Sequence, residues 1–193
     1  PYEARIPYTE KCEETVVINI DNTQYEVPRW ITLKKALEIA GYELGIFPSE
    51  GQVSVPCSLG GCYSCLVEVN GEFVRACITP IEEGMNVFTD KEAPALRIVH
   101  GPAPHSVGGK ATPWWIKGDG YIEVAIWAAG CNLRCPQCQN YHVTYDNSSK
   151  PVTPEKAAQI LTKARRIYGV DRMAISGGEP TTNRKWLVNF FKE

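Results

Sequence analysis

Hydrophobic and polar residues alternate twice in TVVINIDNTQYEV, residues 15–27. Asp21, Asn22 and Thr23 separate the two β-branched runs, a pattern that predicts a β-hairpin. The period then changes. In ITLKKALEIAG, residues 31–41, Leu33, Ala36, Leu37 and Ala40 form one apolar face, with Thr32 placed to cap the start and Gly41 to end the helix. Alternation returns in CLVEVNGEFVRAC, residues 65–77, where Asn70-Gly71 marks the turn of a second hairpin. With a short strand near MNVFT, these elements predict a small mixed sheet carrying one helix.

Residues 91–120, KEAPALRIVHGPAPHSVGGKATPWWIKGDG, are rich in Pro and Gly and read as a connector with little regular structure. Trp114 and Trp115 within it are expected to fill a gap between domains. YIEVAIW, residues 121–127, then reads as a strand. VTPEKAAQILTKARRIYG reads as a helix with Thr153 as N-cap, Pro154 at its first position and Gly169 as terminator. Its stripe of Ala157, Ile160, Leu161, Ala164, Ile167 and Tyr168 is expected to face a core, and Lys163, Arg165 and Arg166 to face water. DRMAIS predicts a buried strand, GGEP a tight turn and TTNRKWLVNFFKE the start of another helix. Strand–helix–strand–helix at this spacing implies a parallel sheet.

The chain has 193 residues, room for one or two domains, with 44 % hydrophobic and 22 % charged residues, as in a folded core-bearing protein. A net charge of −2 gives no electrostatic reason to expect nucleic acid or an anionic membrane. No apolar run approaches the roughly 18–20 residues of a membrane span. The start, PYEARIPYTEKCEE, lacks a signal-peptide layout and an initiator Met, so the expectation is a cytoplasmic protein whose sequence begins inside a longer one. Six of the eight cysteines crowd into two loops, which suits thiolates around metal better than disulfide staples. Cys12 stands apart, as a bystander thiol.

The first loop gives Cys57-x4-Cys62-x2-Cys65-x11-Cys77, the plant-type [2Fe–2S] spacing. Gly60 and Gly61 would let the backbone curl round a cluster and point N–H groups at its sulfurs. Structural zinc is the alternative, although its usual pattern is two separated C-x2-C knuckles. This loop and the following TPIEEGMNVFTD resemble the β-grasp ferredoxin domains of succinate dehydrogenase and hydrogenase iron–sulfur subunits over roughly residues 13–90. The resemblance implies electron transfer through a [2Fe–2S] cluster on Cys57, Cys62, Cys65 and Cys77.

The second loop, CNLRCPQC, places Cys131, Cys135 and Cys138 at C-x3-C-x2-C spacing, one ligand short of the usual four. It resembles the signature of the radical S-adenosylmethionine (SAM) superfamily, and most of all the glycyl-radical activating enzymes. In that family three cysteines hold a [4Fe–4S] cluster whose fourth iron is chelated by SAM. SGGEP, residues 176–180, resembles the family's G-G-E motif, which implies SAM contacts from Gly177, Gly178 and Glu179. Gln137 departs from the aromatic residue usual before the third cysteine, and His142 follows the loop closely. The fold class that the resemblances imply is an α+β β-grasp ferredoxin domain (residues 1–90), the connector (91–120) and the first two βα units of an α/β radical SAM partial barrel (121–193). A core of about six such units would make this an N-terminal piece whose own SAM site is incomplete. The function implied is an iron–sulfur oxidoreductase in which the ferredoxin domain reduces the [4Fe–4S] cluster for reductive SAM cleavage and hydrogen abstraction. Its partners would be SAM, a protein glycine or small-molecule substrate, and an external low-potential electron donor. The alternatives are an electron-transfer module without catalysis and an inactive fragment of the enzyme.

Overall fold

The computed structural model describes residues 14–47, 51–91, 95–106 and 121–193. Cys12, Trp114 and Trp115 lie outside them. The first hairpin forms as β1 (Thr15–Ile20) and β2 (Thr23–Pro28), antiparallel, with Asp21 and Asn22 both at positive φ in its turn. Both residue types tolerate that conformation. Helix α1 (Leu33–Ile39) starts on Thr32, whose hydroxyl accepts from Lys35 N. Two short strands, β3 (Leu44–Gly45) and β4 (Val53–Ser54), pair in parallel. The second hairpin joins β5 (Leu66–Val69) to β6 (Glu72–Arg75) through Asn70 and Gly71, again both at positive φ.

Strand β7 (Asn86–Phe88) then enters between the hairpins, parallel to β1 and antiparallel to β5, giving the order β2-β1-β7-β5-β6. Leu33, Ala36 and Leu37 of α1 pack on Val16, Ile18, Ile20, Val67 and Val87. Cys65 and Cys77 belong to this same core, so the first cysteine loop is anchored by hydrophobic packing.

The segment expected to be an irregular connector contains an eleven-residue strand, β8 (Leu96–Ser106). It pairs antiparallel with β9 (Tyr121–Ala128), with register shifts at three places. The shift between His100 and Ala103 absorbs Gly101 and Pro102, which a regular central strand would not hold. Leu96 is fully buried in the second core. Long-range pairing with β9 has overridden the local composition. The second sheet runs β10-β8-β9-β11, where β10 is Pro151–Val152 and β11 is Arg172–Gly177, parallel to β9. Short helix α2 (Tyr141–Thr144) follows the three-cysteine loop.

Helix α3 (Pro154–Tyr168) crosses between β9 and β11, capped by the Thr153 hydroxyl at its start and by Gly169 in the left-handed conformation at its end. Ala157, Leu161 and Ala164 reach the core as expected, and Ile160 is half-buried. Ile167 and Tyr168 do not reach it: they are exposed in the last turn, and Tyr168 meets Tyr121 edge-on at 5.4 Å. The apolar period continues past the edge of the sheet it covers. A 3-10 turn (Pro180–Asn183) leads into α4 (Arg184–Lys192), whose Trp186 is fully buried, stacks on Phe190 and donates from Nε1 to Val152 O. Among the described residues the two cores share no member, and no helix is long and apolar enough to cross a membrane.

Candidate metal centres

Cys57, Cys62, Cys65 and Cys77 are all buried. They stand as two facing pairs, Cys57 with Cys62 and Cys65 with Cys77. A binuclear cluster needs two thiolates per iron, and two facing pairs fit it.

The backbone supplies the rest of the environment. Leu59 N donates to Cys57 Sγ at 3.3 Å, and the backbone N–H groups of Cys62 and Gly61 near Cys57, and of Gly60 near Cys77, favour the thiolate of each. The Cys62 thiol beside Cys57 holds the Cys57 thiol down to about 5 against the opposing effect of burial. Cys62 is correspondingly pushed up, by that same partner and by burial. Cys65 is likewise raised and Cys77 lowered by their mutual hydrogen bond. A loop that favours thiolate in each pair, with donors already aimed at sulfur, suits an anionic cluster. Gly60 has φ +72 and sits under Ile78, where a Cβ would lie 2.7 Å from Cδ1.

Cys131, Cys135 and Cys138 lie beyond the C-terminal end of β9, less buried than the first four. Leu133 N donates to Cys131 Sγ at 3.4 Å, and Cys138 Sγ lies 4.0 Å from Thr144 Oγ1. A cubane takes one protein sulfur per iron, so its ligands also stand apart, and three soft thiolates suit it. Gln137 is exposed, as is His142, whose ring meets Tyr141.

The G-G-E turn reaches this loop directly. Gly178 N donates to Ala128 O and Glu179 N to Gly130 O, both at 2.8 Å. A Cβ on Gly178 would land on the Gly130 carbonyl, and one on Gly177 (φ +115) would lie 2.5 Å from Ala128 N. The close approach that these glycines permit is therefore to the cysteine loop itself. Asn140 Nδ2 adds a bond to Gly177 O at 2.9 Å. Glu179 Oε1 accepts from Thr181 N at 3.0 Å and Thr181 Oγ1 at 2.6 Å, closing the turn.

Several contacts that join the two loops were not foreseen in the sequence. Gly61 packs backbone-to-backbone on Gly130, since a Cβ on Gly61 would sit 2.6 Å from Gly130 N and one on Gly130 2.5 Å from Cys62 N. The buried Asn183 donates to Cys62 O and to Ala95 O, each at 2.8 Å, and accepts from Trp186 N. The Ser64 hydroxyl donates to Thr182 O, and Arg134 Nη2 to Cys57 O at 3.4 Å. Arg97, 4 % exposed, stands over the Tyr63 ring and donates to Tyr63 Oη, Asp146 O and Asn147 Oδ1. These contacts join residues as many as 121 positions apart, and only a doubled glycine or a turn residue marks them locally.

Two family models match the chain. Residues 13–92 match the 2Fe-2S iron-sulfur cluster binding domain family, and residues 116–193 the 4Fe-4S single cluster domain family. The chain is 31 % identical over 80 residues to the mitochondrial NADH dehydrogenase [ubiquinone] iron-sulfur protein 1 of Solanum tuberosum, covering 40 % of this chain and 10 % of that protein. It is 43 % identical over 54 residues to a probable GTP 3′,8-cyclase of Methanocella arvoryzae, covering 28 % of this chain and 17 % of that protein. The chain thus spans under a fifth of the length of either relative. Each half carries the pattern of a domain that binds an iron–sulfur cluster, a two-iron cluster before residue 93 and a four-iron cluster after residue 115.

Proposed function

We propose that this chain is an electron-transfer unit feeding a radical SAM centre. On this reading residues 1–90 are a β-grasp ferredoxin domain, residues 91–120 the linking segment and residues 121–193 the first two βα units of a radical SAM core. Cys57, Cys62, Cys65 and Cys77 hold the [2Fe–2S] cluster; Cys131, Cys135 and Cys138 hold the [4Fe–4S] cluster. When bound, these groups supply one-electron transfer and, with SAM on the open iron, its reductive cleavage for hydrogen abstraction from a substrate.

The observation that carries the proposal is the Gly61–Gly130 contact. It sets the residue before Cys62 against the residue before Cys131 with only backbone between them, so the two loops meet by their shortest route. The chain's own residues then have separable tasks. N–H groups of Leu59, Gly60 and Gly61 stabilise negative charge on the first cysteines. Glu179 holds the turn with one carboxylate oxygen, which leaves the other for an ammonium group such as that of SAM. The partners that follow are SAM, a protein glycine or small-molecule substrate, and an external low-potential donor.

The second reading, electron transfer without catalysis, is favoured by one observation. Gly177, Gly178 and half of the Glu179 carboxylate are already engaged within the protein. Anaerobic reconstitution separates the two. The proposal expects about six irons per chain, two EPR signals on reduction, loss of the four-iron signal alone in Cys135→Ala, and, in a longer chain that completes the core, 5′-deoxyadenosine on incubation with SAM and dithionite. Two clusters without SAM binding or cleavage in that longer chain would select the second reading.

A further inference from the structure

Arg97 is a buried cation whose hydrogen-bond partners leave its charge uncompensated. It is 4 % exposed, and every acceptor that it reaches among the described residues is neutral: Asp146 O at 3.2 Å, Asn147 Oδ1 at 2.9 Å and Tyr63 Oη at 3.3 Å. The Asp146 carboxylate turns instead to Ser148 and Ser149. Arg97 Nε is buried without a hydrogen-bond partner among the described residues. A guanidinium does not shed its proton on burial as a lysine can. Such a charge is costly inside a protein unless an anion stands near it.

The position of Arg97 indicates which anion that is. Its own carbonyl accepts from Ala129 N at 2.9 Å, two residues before Cys131. Its guanidinium lies 5.4 Å from the centre of the Tyr63 ring, on the residue that follows Cys62. Chain geometry then keeps the guanidinium within roughly 13 Å of the Cys62 Cα. A second guanidinium, that of Arg75, lies 4.9 Å from the same ring and donates from Nη1 to Gly60 O at 2.6 Å. Two cations are thus held on one ring inside the first cysteine loop. The more buried of them comes from β8, in the sheet of the second unit.

We propose that Arg97 is the buried counter-cation of the two-iron site, supplied by the second unit, and that it raises the reduction potential of that site by stabilising the added electron. This rests on the assignment of the [2Fe–2S] cluster above and does not require that SAM bind. Four thiolates make the cluster anionic, and reduction adds a further negative charge. A cation shielded from water favours that reduced form. The potential of the first site thereby depends on residues of both units.

The test is an EPR-monitored redox titration of the two-iron signal in the reconstituted 193-residue chain, without SAM. Arg97→Met should lower the midpoint, raising the oxidised-to-reduced ratio at the wild-type midpoint about tenfold, or about 59 mV for a one-electron couple. Arg97→Lys keeps the charge but not the fork of donors, and should recover most of that shift. Arg75 is only half-buried, so Arg75→Met should move the midpoint in the same direction by less. The Arg97→Met shift should also survive high salt, which screens exposed charges far more than buried ones. Arg97→Gln is read in its place if Arg97→Met fails to take up iron. An unchanged midpoint in the neutral variant would overturn the proposal, as would an Arg97→Lys shift as large as that of Arg97→Met, which would mark a role in packing alone. Absence of a two-iron signal in the wild type would overturn the cluster assignment and this proposal with it. SAM binding, measured separately by equilibrium dialysis, tests the radical SAM reading alone.

Discussion

Replacing Gly178 by Ala decides what the paired glycines of the G-G-E turn are for. If they exist to admit a ligand, the added methyl should weaken ligand binding and do little to the free protein. The structure requires the opposite. A Cβ at Gly178 meets the Gly130 carbonyl head-on, with Gly130 C at 2.9 Å and Cys131 Cβ at 3.4 Å behind it. The obstacle is backbone, so no rotamer change relieves it. Overpacking of this kind costs about 1–3 kcal/mol, and forcing the loops apart weakens the Glu179 N–Gly130 O and Gly178 N–Ala128 O bonds, each contributing about 1 kcal/mol. A loss of about 3 kcal/mol in local stability follows, or roughly a hundredfold faster amide exchange. The assay is hydrogen exchange on cluster-loaded protein without SAM, read at Ala129, Gly130 and the β9–β11 ladder. Gly169→Ala is the control. Gly169 has φ +63 but open space around its Cβ position, so only the left-handed conformation is penalised, by about 1 kcal/mol. Unchanged exchange in Gly178→Ala, together with weakened SAM binding, would refute the docking argument.

Other expectations concern the two units separately. Burial opposes ionisation of Asp21, but hydrogen bonds from the Thr89 hydroxyl, Thr89 N and Tyr42 Oη outweigh it and lower its pKa. A lowered carboxylate stabilises the fold above its unfolded pKa and loses that contribution as pH falls through the folded value. Asp21→Asn should therefore cost about 1 kcal/mol near pH 7 and flatten the acid limb of stability below about pH 4, measured by urea titration across pH. A chain ending at Glu92 contains every member of the first core and should keep its two-iron visible absorbance; a bleached product would show that the units fold as one. Thr153→Ala removes the hydroxyl that accepts from Lys156 N and should destabilise the second unit by about 1 kcal/mol, seen in the same titrations.

The features legible in the sequence were those fixed by neighbours a few residues apart. Asn70-Gly71 specifies its own turn, and Thr153 and Gly169 specify the two ends of α3. The spacing within each cysteine loop is equally local. Strand β8 was not legible, because its partner β9 is distant in sequence and its own Gly and Pro residues argue for a loop. Ile167 and Tyr168 extend a correct helical period beyond the sheet that would bury it. At the site, the sequence indicated which cysteines act together and left open how the two sets meet. Ser64 and Asn183 find their partners 118 and 121 residues away, and nothing local specifies those partners.

Two units with separate cores are ordinarily held by an apolar interface large enough to fix their placement, and otherwise move relative to one another. Here the described contacts near the cysteines are of another kind. Backbone meets backbone at Gly61 and Gly130, and Ser64, Asn183 and Arg134 donate to main-chain carbonyls. Such contacts release little apolar surface from water, and each contributes only about 1 kcal/mol. Their value lies in geometry. Main-chain acceptors cannot change rotamer, and two glycines in contact leave no side chain whose size could vary the separation. Any side chain in place of Gly61 or Gly130 would push the cysteine loops apart by the thickness of at least a methyl group. Electron transfer is sensitive to separation and hardly at all to the energy that maintains it, so a weak, stiff contact meets that requirement better than a strong, compliant one. At the loops a fixed distance between main chains becomes a fixed distance between the cysteines that follow them.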